Sequence, residues 1–325
     1  MTIENKGLLG AYILDGSGGG RQVDWEEIGS WKSRQGVLWI HLDYSVPQVQ
    51  QWLYEKSGLE EVICDALTEE DSRPRCTPFH EGLLLGLRGV NFNPGADPED
   101  MVGIRIWFEK ERIISTRRRK VLSIADIRDA LEQGSGPDSA SDFLVQVTGR
   151  LMERMRQVID DLEDSVAEVE DQVLVSENRQ LRFQLAAMRR QAISLRRYLS
   201  PQREALSRLL TEKIFWLDES DRIRLREVYD QLIRYIEDLD EARDRAAVTQ
   251  EQLINSLSEQ MNSKMYILSI VAAIFLPLGF LTGLLGINVG GIPGAESKLG
   301  FLLFVLLLIV VVIFQIWLFR KKKWL

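Results

Sequence analysis

Six side chains recur at alternating steps of four and three along one stretch of the chain: Glu251, Asn255, Ser258, Asn262, Met265 and Ser269. On a helix those steps place all six on one line. Carboxylate, amide and hydroxyl oxygens are hard or borderline donors. Repeated around an axis, they suit the passage of a hydrated divalent cation better than a tight dry cage. The competing use of the pattern is a polar register stripe in a coiled coil. Flanking positions Leu253, Leu257, Ile267, Leu268 and Ile270 are apolar, which sets the line apart from the other faces.

Other residues able to do chemistry are few. Cys76 and His80, four positions apart with Pro78 between them, offer half a zinc site, against the alternative of a buried thiol and a surface imidazole. With only two cysteines (Cys64, Cys76) and two histidines (His41, His80), repeated four-ligand zinc modules, a disulfide framework and a Ser/His/Asp catalytic set are not expected. Gly16-Ser17-Gly18-Gly19-Gly20 lacks the Lys-Ser/Thr of a P-loop and is no GxGxxG, so a flexible turn is expected and an ATP-driven pump is not. Arg117-Arg118-Arg119-Lys120 follows a strand, and a solvated basic face is preferred over a phosphate site there. No cofactor and no enzymatic activity are expected.

The stripe must be positioned by a helix, and the sequence provides one. From Asp221 to Leu285 there is no proline before Pro277 and no glycine before Gly279, so one helix of roughly 100 Å is expected. Its last part, residues 265–285, is uncharged, and residues 300–319 form a second uncharged run; each matches the ~20 residues needed to cross a hydrocarbon core. Arg320-Lys321-Lys322-Lys323 follows the second run, whereas the short loop between the runs holds only Glu296 and Lys298. The positive-inside rule then puts both termini in the cytoplasm. The N-terminus lacks the pattern of a secretory signal. A net charge of −8, from 40 basic and 48 acidic residues, argues against nucleic acid as a partner.

The remaining chain divides by composition. Residues 1–133 read as an α/β domain with strands at Gly7 to Leu14, Val37 to Leu42, Gly82 to Val90, Met101 to Phe108 and Arg112 to Thr116, giving a mixed sheet covered by helices. After Gly134-Ser135-Gly136-Pro137, residues 142–264 read as a helical stalk that includes the start of the long helix. Within it an acidic helix, Asp142 to Val175, precedes a basic one, Arg179 to Leu210, and the opposite charges are expected to attract across a turn at Ser176-Glu177-Asn178. The order is completed by transmembrane helix 265–285, loop 286–299, transmembrane helix 300–319 and basic tail 320–325. Pro277 is expected to bend the first span, and Gly279-Phe280-Leu281-Thr282-Gly283 is a GxxxG that allows close helix packing. Two spans alone cannot enclose a pathway, so conduction requires homo-oligomerisation.

The end of the first span, IFLPLGFLTGLLG followed by Ile287-Asn288, resembles the CorA-type divalent metal transporters, which carry a Gly-x-Asn tripeptide at this place. Glu70-Asp71-Ser72-Arg73-Pro74-Arg75, the acidic and basic helix pair, and LREVYDQLIRYIEDLDEARD are similar to that family as well. The family's usual tripeptide is Gly-Met-Asn after a tyrosine; Leu285 and Ile287 depart from it. Gly-Ile-Asn followed by Val-Gly-Gly-Ile-Pro-Gly, with RPRCTPFHEGLLLGLRGVNFNPGADPEDMV, resembles the ZntB zinc-transport branch.

The resemblance implies a homopentamer in a bacterial inner membrane, with a funnel-shaped cytosolic domain and a central pore. Gly286, Ile287 and Asn288 would then form the periplasmic entrance, with Asn288 amides holding a hydrated cation. Zn2+ is the implied cargo, with proton symport, and a magnesium, cobalt or nickel channel is the alternative within the family. A membrane-anchored scaffold or sensor is the alternative outside it. Neither span contains the His, Cys or carboxylate ligands that zinc favours, so the ion is expected to cross at least partly hydrated. Copies of Glu296 in the outer loop would concentrate cations there, with Lys298 offsetting part of the field.

Overall fold

The computed structural model describes residues 7–70, 73–175, 178–286 and 297–322. The chain divides into two compact units, Met1–Gln250 and Glu251–Leu325.

The first unit is built on a seven-stranded mixed sheet. Its strands are β1 (Leu8–Leu14), β2 (Gly20–Gln22), β3 (Leu38–Asp43), β4 (Arg75–Phe79), β5 (Gly82–Gly89), β6 (Val102–Phe108) and β7 (Arg112–Arg117). They lie in the order β2-β1-β3-β7-β6-β5-β4, with β3 and β7 parallel and every other neighbouring pair antiparallel. The five expected strands are present. The two additional ones carry weak signals: β2 is only three residues, GRQ, and β4 contains Pro78, which an edge strand tolerates because one side of its backbone has no ladder partner.

Strand alternation sends side chains to two covered faces. Leu38, Ile40 and Leu42 of β3 and Ile114 of β7 join Val49 and Leu53 of α2 (Pro47–Glu55) and Ile63 and Leu67 of α3 (Glu61–Thr68) in one core. The short helix α1 (Trp25–Ser30) adds Ile28 to it, and Asp24 caps that helix by accepting from the N–H groups of Glu26 and Glu27. On the opposite face Trp39 packs on Phe143 of α5 (Ala140–Val175) with ring centroids 4.9 Å apart. That face is also covered by α4 (Leu122–Glu132) and α6 (Leu181–Thr211), whose Gln202 Oε1 accepts the backbone N–H of Arg88 at 2.8 Å.

The glycine run is a turn, as expected, and it is organised by one carboxylate. Asp15 Oδ1 accepts from the Ser17 N–H at 2.8 Å, the Ser17 hydroxyl at 2.9 Å and the Gly19 N–H at 3.0 Å, closing the β1–β2 hairpin. The charged helix pair also differs from expectation. Helices α5 and α6 pack together, but among the described residues no ion pair joins them; Ser176 and Glu177 lie outside these residues. Both instead pair with α7 (Glu219–Leu285): Asp142 with Arg224 at 2.6 Å, Glu170 with Arg245 at 2.5 Å, and Arg196 with Asp240 at 2.8 Å. The third long helix carries both charge signs and so satisfies both partners.

The second unit holds the rest of α7 and α8 (Gly300–Lys321). The apolar stretches of both are long enough to cross a membrane, and, Phe319 apart, their described side chains are not buried within the chain. Helix α7 continues unbroken through Pro277. Gln315 of α8 donates from Nε2 to the Ala273 carbonyl of α7 at 3.5 Å, a polar contact between the two spans.

Candidate ion pathway

Helix α7 starts where the sequence favours a start. Asp218 Oδ1 accepts the backbone N–H of Asp221 at 2.8 Å, and Glu219 and Asp221 place negative charge in the first turn. Asp221 is itself buried and accepts from the Ser141 hydroxyl. With the pairs of Arg224, Asp240 and Arg245, this holds α7 against α5 and α6 inside the first unit.

Beyond Gln250 the helix carries the polar line. Glu251, Asn255, Ser258, Asn262, Met265 and Ser269 are all exposed in the single chain, and at 1.5 Å per residue they extend over about 27 Å. The structure therefore places the six residues on one α-helix, each of them exposed among the described residues. Ser269 donates its hydroxyl proton to the Met265 carbonyl at 2.8 Å, which leaves the Oγ lone pairs available as acceptors. Thr282, nearer the end of the span, donates in the same way to the carbonyls of Leu278 at 2.9 Å and Gly279 at 3.0 Å.

Gly286 closes the helix. Its N–H donates to the Thr282 carbonyl at 2.9 Å, and a Cβ there would stand 2.7 Å from the same oxygen, closer than a side chain tolerates. Gly279 and Gly283 are exposed with open space where a Cβ would lie, so the helix backbone is approachable on that face. Ile287, Asn288 and Glu296 lie outside the described residues. At the other membrane face, Arg320 and Lys321 occupy the last turn of α8, and Lys321 Nζ sits 5.1 Å from the Trp317 ring centroid.

The structure does not bring Cys76 and His80 together. Cys76 is buried on β4, whereas His80 occupies the β4–β5 turn, is exposed, and places Nε2 3.3 Å from Glu60 Oε1. A spacing of four along extended backbone separates residues by about 13 Å, too far to share one zinc ion. Burial pushes the Cys76 thiol up to about 12, away from the thiolate that zinc requires. Among the described residues no group of three His, Cys, Asp or Glu side chains converges to hold a metal ion. Cys64 is likewise free and buried, donating its thiol to the Leu53 carbonyl at 3.2 Å.

Two features escaped the sequence reading. On α5 and α7, burial first and neighbouring acids second raise the carboxyls of Glu163 and Asp238; Asp160 and Glu241 contribute to both. The register of β3 against β7 also sets His41 opposite Ser115. Arg117 Nε donates to His41 Nε2 at 3.1 Å, so the imidazole proton resides on Nδ1 and points to Ser115 Oγ at 2.8 Å. Ser115 also accepts from Trp39 Nε1 at 2.9 Å and donates to the Ile40 carbonyl at 3.3 Å. This Ser–His pair is wired against nucleophilic catalysis, because the imidazole donates to the hydroxyl instead of accepting its proton. No local sequence signal joins residues 74 positions apart.

The basic tetrad is dispersed. Arg118 pairs with Glu70, Arg119 pairs with Asp100 at 2.6 Å, and Arg117 is half-buried against His41.

A family model described as CorA-like Mg2+ transporter protein matches residues 34–321. The divalent cation transporter CmaX of Pseudomonas aeruginosa is 42% identical over 325 residues, covering 99% of this chain and 98% of that protein. The zinc transport protein ZntB of Yersinia pseudotuberculosis serotype O:1b is 38% identical over 315 residues, covering 97% of this chain and 95% of that protein. The solved structure of full-length CmaX matches with a TM-score of 0.86 at 42% identity, covering 98% of each chain.

Proposed function

The chain belongs to the CorA family of divalent cation transporters, on the branch that includes ZntB, and from that premise we propose that it carries Zn2+ across the bacterial inner membrane through the centre of a homopentamer. The observation that carries this reading is the exposed polar line of α7, from Glu251 to Ser269. Among the described residues Asn255, Ser258 and Asn262 are exposed in the single chain, while five α7 helices around an axis would stack their oxygens into rings.

The ion moves at least partly hydrated, because the line supplies amide, hydroxyl and carboxylate oxygens without imidazole or thiolate. Gly286, Ile287 and Asn288 form the periplasmic entrance, Glu296 attracts cations to it, and both termini are cytoplasmic. Uptake is the direction the membrane potential favours, by about 2 × 2.3 kcal/mol per 100 mV for a divalent ion. Neither span contains Asp, Glu or His, so any coupling to protons uses groups outside the hydrocarbon layer, with Glu251 the first in line.

A broader cation range is the second reading. It is favoured by the greater identity to CmaX, a divalent cation transporter by name, than to ZntB, and by the Mg2+ description of the family. Liposomes containing the purified protein, challenged with Zn2+, Mg2+, Co2+ and Ni2+ under imposed pH and voltage gradients and then assayed for the metal content of their lumen by elemental analysis, separate these readings. Zinc uptake exceeding that of the other ions supports the first; equal uptake of all four supports the second. Mass measurement in lipid nanodiscs tests the pentamer, which a stable monomer or dimer would exclude.

A further inference from the structure

Between β1, β3, β7 and the first turn of α4 lies a small cavity of about 160 Å³, lined by Tyr12, His41, Arg117, Lys120 and Arg128. At ~30 Å³ per water this accommodates about five waters, or one compact anion. Among the described residues its charged lining is three cations and no carboxylate. Arg128 is engaged with Asp129 at 3.0 Å, but among the described residues no carboxylate oxygen lies within ion-pairing reach of Arg117 or Lys120. Asp43 acts on Arg117 electrostatically, yet its Oδ1 accepts from the Ser45 N–H at 3.0 Å and the Ser45 hydroxyl at 2.6 Å.

Desolvated charges in proteins are normally paired. Arg117 is half-buried, and its Nε bonds to His41 Nε2, an acceptor that carries no charge. That bond aims the guanidinium without neutralising it and leaves its terminal N–H groups for another acceptor. Helix α4 adds to the same field: Val121 occupies the N-cap and gives no side-chain cap, so the positive end of an 11-residue helix borders the cavity. Glu132 stands nearby, with Oε1 3.4 Å from the Tyr12 hydroxyl, but outside the lining.

We propose that this cavity binds a phosphoryl anion, inorganic phosphate or the head of a phosphomonoester, with Arg117, Lys120 and Arg128 as its charge partners and the α4 N-terminus as its backbone contact. The basic tetrad thereby divides its work: Arg118 and Arg119 pair with carboxylates within the chain, while Arg117 and Lys120 face the anion. The site belongs entirely to the first unit and is independent of which cation is transported.

The test is calorimetric titration of inorganic phosphate, and separately of glycerol 3-phosphate, into the full-length protein in nanodiscs of zwitterionic lipid. Saturable binding at one anion per chain is expected, with sulfate competing. Lys120→Ala and Arg128→Ala, both at exposed positions, are each expected to weaken binding about tenfold, as loss of a charge-assisted hydrogen bond would. Binding of glycerol 3-phosphate but not of phosphate assigns the site to phosphomonoesters. Arg117→Gln can disturb the His41 network, so acylation of Lys120 in the unaltered protein gives a second readout: phosphate is expected to slow it. Absence of saturable binding by both anions, or affinities unchanged in both exposed variants, overturns the proposal.

Discussion

Arg117 Nε lies 3.1 Å from Nε2 of His41, and that bond fixes the tautomer of a histidine otherwise enclosed by the sheet and α4. Burial first, and the positive charge of Arg117 second, hold the imidazole neutral, with its pKa lowered to about 3. The histidine is therefore a structural acceptor and not a proton carrier at neutral pH.

A pH dependence of stability follows from the sign of that shift. An unfolded histidine titrates near 6.5, so below that pH the unfolded chain takes up a proton that folded His41 refuses. Its contribution is complete above about 6.5 and is lost progressively as pH falls toward about 3. His41→Gln is expected to be less stable than wild type at pH 7 by about 1–3 kcal/mol, with the gap narrowing as pH drops from 6.5 to 4. Urea unfolding followed by tryptophan fluorescence checks this; a gap constant with pH would contradict it.

Cys76 is expected to resist alkylation in the folded protein and to react once urea is added, because burial suppresses its thiolate. Cys76→Ala and His80→Ala are each expected to leave zinc flux within about twofold of wild type, since strand spacing keeps the two apart. A strong loss of flux in both variants would restore them as a metal pair. Mass spectrometry of the labelled protein and the liposome assay supply the two measurements.

The junction of α5 and α7 offers a third test. Arg245 holds Glu170 through Nε at 3.2 Å and a terminal nitrogen at 2.5 Å, and Thr249 Oγ1 lies 3.3 Å from the same carboxylate. The pair is partly exposed, so its coupling energy should be about 1 kcal/mol. A double-mutant cycle of Glu170→Gln and Arg245→Gln, read by thermal unfolding, measures it; a coupling indistinguishable from zero would remove the pair from the anchoring of α7.

If proton and zinc movements are linked, Glu251 should carry the link, because zinc arriving at a ring of carboxylates competes with protons. Glu251→Gln is expected to change the pH profile of zinc uptake more than His41→Ala or His80→Ala. Initial flux across a pH series at clamped voltage decides this, and identical profiles for wild type and Glu251→Gln would defeat it.

What the sequence made legible was what depends on local pattern. The spans, the 67-residue α7 and the line from Glu251 to Ser269 follow from uninterrupted helical sequence and its periodicity. The strands with alternating apolar residues were also readable, while β2 was too short and β4 was obscured by Pro78. Pairings between distant segments were not. Arg117 with His41, and Arg196 with Asp240, arise from sheet order and helix packing that no spacing encodes. Of the two readings of Cys76 and His80, a half zinc site or a buried thiol with a surface imidazole, the second is the one observed, because a strand and a turn carry the two residues apart.

Zinc flux along the polar face of α7 is the central claim, and initial Zn2+ uptake by liposomes containing wild type or Asn262→Leu, matched for oligomeric state and clamped at one voltage, tests it most directly. Leucine keeps the helix and removes the amide proposed to meet the ion's hydration shell. The account predicts rapid wild-type uptake, reduced on the order of tenfold by the substitution, as a barrier increase of about 1.4 kcal/mol would produce. Wild-type uptake no faster than in protein-free liposomes, or undiminished uptake by a correctly assembled Asn262→Leu protein, would contradict it.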